Sequence, residues 1–244
     1  MQIDALAVRL RPHNQMEASD LGVGLCQSAA FSVYTCYAVV AIPIAAIAFS
    51  TIDIAKWLPA IVLWCAKPWL DRTILFVLSR AAFGQQTRPS DVWRAQRRVW
   101  WKQFLFTWTV RRLSPWRSLT GPVYQLEELS IWPARARIRQ IRRGNVGSAL
   151  MMTTAFNLAE SALTFAILSL LFWFAPRGMT PEVSGVLAGE LPGVLSQAVF
   201  ISYAITVVFL EPFYVAAGFA MYLNRRADLE AWDIEQELRH VFAE

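Results

Sequence analysis

Ionisable side chains lie inside the long apolar stretches of this 244-residue chain, where each charge needs a partner. Glu160 and Glu211 both lie about 11 residues from the basic end of an apolar run, which is a depth of about 16 Å in a helix. Lys67, Asp71 and Arg72 interrupt a third run at a similar level. A lone charge at the centre of a bilayer costs about 2.5–3.5 kcal/mol. We therefore expect these groups to face inward and to pair, most simply Arg72 with Glu160 or Glu211.

This predicted polar layer admits two interpretations. The first is a buried ion-pair network that fixes the packing of the helices. The second is a polar pathway or binding site for a proton or a lipid head group, in which either glutamate could carry a proton. Asn157, one turn before Glu160, could hydrogen-bond within the layer. The candidate residues are Lys67, Asp71, Arg72, Asn157, Glu160 and Glu211.

A second group of candidates is basic and lies between the apolar runs. Guanidinium groups bind phosphate and carboxylate well, so anionic lipid head groups and an acidic protein partner are both possible ligands. Specific nucleic-acid binding is not expected beside membrane spans. The candidate contact residues are Arg94, Arg98, Lys102, Arg135, Arg139, Arg142 and Arg143.

Motifs that would indicate an enzyme are absent from the sequence. There is no Walker A loop, GxGxxG, HExxH, GxSxG or CxxC pattern. The two histidines, His13 and His240, lie near opposite ends of the chain. We therefore predict no catalytic residue, metal ligand or cofactor.

The elements that position these residues are apolar helices. The chain is 56% hydrophobic and 17% charged, with a mean hydropathy of +0.37, so lipid is needed to cover its apolar surface. We predict an all-α, polytopic helical bundle forming a single integral membrane domain, 1–244. Proline interrupts the second span at Pro68 and should kink or break it. The four predicted spans are approximately 30–52, 57–83, 149–175 and 198–223.

The remaining polar segments predict amphipathic helices and an orientation. Helices are expected at about 17–27, with Leu21, Val23, Leu25 and Cys26 as its apolar side, and at about 90–113 and 133–143. The segment 84–147 holds 13 Lys or Arg residues, whereas 176–197 holds one. Cytoplasmic loops carry the excess of positive charge, so four spans place this segment and both chain ends in the cytoplasm of a bacterial inner membrane.

Several motifs resemble those of a family of proteobacterial inner-membrane proteins. They include Lys67-Pro68-Trp69-Leu70-Asp71-Arg72, Arg112-Leu113-Ser114-Pro115-Trp116-Arg117-Ser118 and Glu211-Pro212-Phe213-Tyr214. The resemblance spans nearly the whole chain, but it indicates no particular reaction. Members are often encoded near a MoxR-type ATPase and transglutaminase-like membrane proteins, which implies an envelope-associated complex. A likeness of layout to the membrane domains of some glycerophosphodiester phosphodiesterases implies no activity.

These observations favour a non-enzymatic membrane component, either a scaffold or a partner subunit whose basic face meets proteins or lipid. The alternative is a transporter or a lipid-handling protein that uses the buried Glu/Arg layer.

Overall fold

The described residues form an all-helical bundle with no strand among them. The computed structural model describes residues 14–96, 99–100, 114–127, 129, 131–174 and 193–230. Its eight helices in these ranges are α1 (Gln15–Ser28), α2 (Ala30–Phe49), α3 (Leu58–Ala81), α4 (Pro89–Arg94), α5 (Arg117–Leu126), α6 (Ile131–Arg142), α7 (Val146–Trp173) and α8 (Gly193–Glu230).

Three of these helices are long and apolar enough to cross a membrane: α2, α7 and α8, with 20, 28 and 38 residues. This confirms a helical chain that contains helices long and apolar enough to cross a membrane. The predicted count of four is not confirmed, because α3 carries Lys67, Asp71 and Arg72 within one stretch. With 24 residues, α3 is nevertheless long enough to cross the hydrocarbon core.

Helix α8 is the centre of the bundle and packs against α1, α2, α3, α5, α6 and α7. It continues through Pro212, and α3 continues through Pro68, so the predicted break in the second apolar stretch does not occur. Each proline deprives one carbonyl of its helical donor. Packing against neighbouring helices holds both elements in helical form despite that loss.

Helix α1 lies against α8 through small side chains. Its buried residues are Ala18, Ser19, Gly22 and Cys26, whereas Leu21, which we placed on the apolar side, is 46% exposed. A Cβ on Gly22 would lie 2.3 Å from the carbonyl oxygen of Ala216, so the two backbones approach very closely. Close packing of membrane helices selects small residues at the contact and leaves large apolar ones facing outward.

The amphipathic helix predicted at about 90–113 is interrupted early. Helix α4 ends at Arg94, and Ala95 lies in a turn. Trp93 is exposed, but Trp100 is buried and donates a hydrogen bond from Nε1 to the Thr73 hydroxyl at 3.0 Å. Trp100 therefore packs against α3. Residues 101–113 of the predicted helix lie outside the described residues.

Candidate functional site

A buried ion-pair cluster joins three helices at Lys67. The Lys67 Nζ lies 2.7 Å from Glu160 Oε2 and 2.8 Å from Glu211 Oε2. These atoms come from α3, α7 and α8 respectively. The side chains of Lys67 and Glu211 are only 4% and 2% exposed, whereas that of Glu160 is 20% exposed. One ammonium group thus bridges two carboxylates that are 51 residues apart in sequence.

Arg117, the first residue of α5, completes this cluster. Its guanidinium bonds to Glu211 Oε1, and its Nε lies 3.6 Å from Asp71 Oδ2. The same guanidinium lies over the ring of Tyr214, 5.0 Å from the ring centroid. We refer to Lys67, Asp71, Arg117, Glu160 and Glu211 as the polar cluster.

Two backbone contacts hold α5 where Arg117 can reach the cluster. The Thr153 hydroxyl of α7 donates a hydrogen bond to the Pro115 carbonyl at 2.7 Å. Ser118 lies so close to Gly218 of α8 that a Cβ on that glycine would be 2.3 Å from the Ser118 Cβ. The small-residue face of α8 that includes Gly218 thus serves helix packing.

The structure changes the predicted pairing within the layer. Arg72 was the expected partner of the glutamates, but Lys67 and Arg117 lie against them. Lys67 and Asp71 are four residues apart and share one face of α3, whereas Arg72 is turned about 100° from Asp71. Arg72 is buried on another side, where its carbonyl accepts a hydrogen bond from Gln125 at 2.8 Å.

The remaining predicted member of the layer, Asn157, lies at its edge. Asn157 is exposed and lines a small void together with Glu160 and Arg117. Sequence reasoning missed Arg117 because it was grouped with the basic residues of segment 84–147. The available signal was its position, since residues 118–126 directly after it hold no charge.

The polar cluster has little room for a ligand. The void beside Asp71, Arg72 and Gln125 is about 30 Å³, and that beside Glu160 and Asn157 is about 10 Å³. The first is large enough for a water molecule and the second is at the lower limit for one. No group of metal-ligating side chains is found among the described residues. The cluster can therefore join helices and hold protons, but it cannot enclose a substrate of ordinary size.

A second, much larger space lies beside α6, at the start of α7. This basic groove has a volume of about 780 Å³ and is lined by Arg135, Arg139, Arg142 and Arg143. Tyr124, Ile138 and Val146 supply apolar walls. The groove lies at the start of α7, which is long and apolar enough to cross a membrane. It can accept an anionic group together with apolar material.

Helix α6 is fixed to the end of α8 by a charged network. Arg137 Nε lies 3.1 Å from Glu127 Oε2, and a terminal nitrogen of Arg137 bonds to Glu230. Tyr222 donates a hydrogen bond to Glu127 at 2.7 Å. Partial burial lowers the pKa of Arg137, but the Glu127 and Glu230 carboxylates more than offset this and raise it above its ordinary value. The groove is therefore built on a helix held by a permanently charged residue.

The structure brings only part of the predicted basic set to the groove. Arg135, Arg139, Arg142 and Arg143 line it, and Arg142 also stacks on Trp116 with its guanidinium carbon 3.7 Å from the ring centroid. Arg94 is exposed on α4 and does not line the groove. Arg98 and Lys102 lie outside the described residues. Comparison of the chain with protein-family models, with curated proteins and with solved structures finds no match.

Proposed function

We propose that this chain is a non-catalytic membrane subunit that docks an acidic segment of a partner protein in its basic groove. The observation that carries the proposal is the contrast between the two polar sites. The polar cluster is enclosed and its charges contact one another, whereas the basic groove is open and about 780 Å³ in volume. The first site suits a structural role, and the second suits recognition.

The residues that line the groove match an acidic, partly apolar ligand. Four guanidinium groups supply rigid forks of donors that pair with carboxylates. No carboxylate belongs to the described residues that line the groove. Ile138 and Val146 add apolar contact, which favours a protein segment carrying both acidic and apolar side chains. The resemblance to a family that implies an envelope-associated complex supports the same role.

We further propose that α3 is a fourth span and that the groove faces the cytoplasm of a bacterial inner membrane. Neighbouring helices bury Lys67 and Arg72, so α3 can cross the membrane without exposing these charges to lipid. Four spans also place every basic segment on one side, as the distribution of positive charge requires.

Compartment-specific labelling tests this orientation. Single cysteines replacing Arg139 in α6 and Glu182 between α7 and α8 would be introduced after the native cysteines are changed to alanine. In spheroplasts, an impermeant maleimide should label the cysteine at position 182, and the cysteine at position 139 should react only after the membrane is opened. Reaction of both positions from one side would contradict the topology.

Affinity capture of the full-length protein from detergent extract tests docking. The unaltered chain should recover a stoichiometric protein partner, and charge reversal at Arg135, Arg139 and Arg143 together should reduce recovery at least tenfold, because three attractive charges become repulsive. Arg94→Glu, a reversal of one charge at an exposed arginine outside the groove, should leave recovery unchanged. Equal recovery with the triple variant would refute docking in the groove. A protein that is recovered alone and loses only its binding to anionic vesicles would assign the groove to lipid instead.

A further inference from the structure

Each oxygen of the Glu211 carboxylate contacts a positively charged side chain. Its Oε2 accepts from Lys67 Nζ at 2.8 Å, and its Oε1 accepts from the Arg117 guanidinium. Each oxygen thus bonds to a different cation in an almost completely buried setting. A carboxyl group with both oxygens engaged in this way is a carboxylate, because a proton on either oxygen would displace a charged donor.

The carboxyl group of Asp71 has a much weaker contact with positive charge than that of Glu211. Among the described residues, its closest contact with a cation is Oδ2 to Arg117 Nε at 3.6 Å, which is longer than a hydrogen bond. Its Oδ1 is buried and has no hydrogen-bond donor in the same part of the chain. The carboxyl groups of Asp71 and Glu211 contact the same Arg117 guanidinium, which brings them side by side and within hydrogen-bonding reach of each other. Two carboxylates cannot hydrogen-bond to each other, since neither has a proton to donate.

The groups that surround Asp71 come from five helices. Tyr37 of α2 has a buried hydroxyl, Lys67 and Arg72 lie on α3, and Arg117 and Gln125 lie on α5. Beyond these groups, Glu160 of α7 and Tyr203 of α8 lie against Lys67, and Tyr214 of α8 lies against Arg117. Among the described residues, the one cation in contact with Asp71 is Arg117, which also bonds to Glu211. The void of about 30 Å³ beside Asp71 leaves space for a water molecule that could exchange a proton with it.

We propose that Asp71 binds a proton at neutral pH and donates it in a hydrogen bond to Glu211, so that the α3–α8 contact is a proton-binding site. The proton replaces the repulsion between two neighbouring carboxylates with a charge-assisted hydrogen bond, which is about twice as strong as a neutral one. The site takes up one proton for each chain and needs no other ligand.

Infrared spectroscopy of the full-length protein in vesicles at neutral pH tests this site. The unaltered protein should show the C=O stretch of one buried carboxylic acid, shifted by exchange into heavy water. Asp71→Asn should remove this band and still fold, because the asparagine amide can donate to Glu211 in place of the acid. Asp228→Asn, a control at an exposed aspartate that pairs with Arg225, should leave the band unchanged. Absence of the band in the unaltered protein, or its persistence in Asp71→Asn, would overturn the proposal.

If Asp71→Asn fails to insert into the membrane, isotope labelling of the unaltered protein identifies the residue type that carries the proton. Unaltered protein grown with ¹³C-carboxyl aspartate should show the acid band displaced, whereas labelling of glutamate alone should not move it. A band that moves only with labelled glutamate would place the proton on a glutamate and refute the assignment to Asp71.

Discussion

Replacing Lys67 with methionine should destabilise the protein by about 3–5 kcal/mol, which is the usual cost of removing one partner of a buried ion pair. Methionine has nearly the same length and fits an apolar helix, so the change removes the charge with little loss of volume. Among the described residues, it leaves Glu160 without a cation and leaves Glu211 with Arg117 as its remaining cation. Unfolding in mixed micelles with increasing SDS would measure the loss, and thermal unfolding in mild detergent would provide a second reading.

The matched control for this variant is Lys56→Met, the same chemical change at an exposed lysine between α2 and α3. We expect it to alter the free energy of unfolding by less than about 0.5 kcal/mol, as is usual for surface changes. Glu160→Gln should fall between the two, because Glu160 is one-fifth exposed and Lys67 keeps its contact with Glu211. Equal stability of Lys67→Met and Lys56→Met would show that the cluster does not hold the bundle together.

Replacing Gly22 with alanine should destabilise the protein by about 1–3 kcal/mol, the range found when atoms are added to a well-packed core. The added Cβ would lie 2.3 Å from the carbonyl oxygen of Ala216 and 2.8 Å from the Ala220 Cβ. Both obstacles are rigid parts of α8, so relief requires α1 and α8 to move apart. Thermal unfolding in detergent measures this effect directly.

Gly24 provides an unusually close control, because it lies two residues further along the same helix with nothing within 4 Å of an added Cβ. Gly24→Ala should therefore be neutral or stabilising by up to about 1 kcal/mol, since alanine favours a helix over glycine. The two substitutions are chemically identical and should act in opposite directions. If Gly22→Ala were as stable as Gly24→Ala, the close approach of α1 and α8 would be refuted.

The long apolar helices could be predicted from the sequence because each is a run with few charges. The run predicted at 149–175 is Val146–Trp173 in the structure, and the one at 198–223 lies within Gly193–Glu230. Hydropathy identifies the apolar part of each helix, but it does not show how far the helix continues into the polar sequence beyond that part. The basic helix predicted at 133–143 also forms, at Ile131–Arg142.

The partners within the polar cluster could not be predicted in the same way. Depth along the helices grouped Lys67, Glu160 and Glu211, since depth follows directly from residue number, and these side chains contact one another in the structure. Which charged side chains pair depends on how each helix is rotated about its axis and on where α5 packs. Neither can be inferred from the hydrophobic periodicity of a single stretch of sequence. Arg117 enters the cluster because Ser118 fits against Gly218, a contact between residues 100 positions apart.

The 38 residues of α8 give it a length of about 57 Å, whereas the hydrocarbon core of a bilayer is only about 30 Å thick. An unbroken helix of this length is a stiff rod, with Glu211 near its middle and Glu230 at one end. Because Glu230 is bonded to Arg137 of α6, sideways movement of that end would carry the wall of the basic groove with it. Changes in bilayer thickness, which alter the tilt of long helices, would thereby reach the groove mechanically.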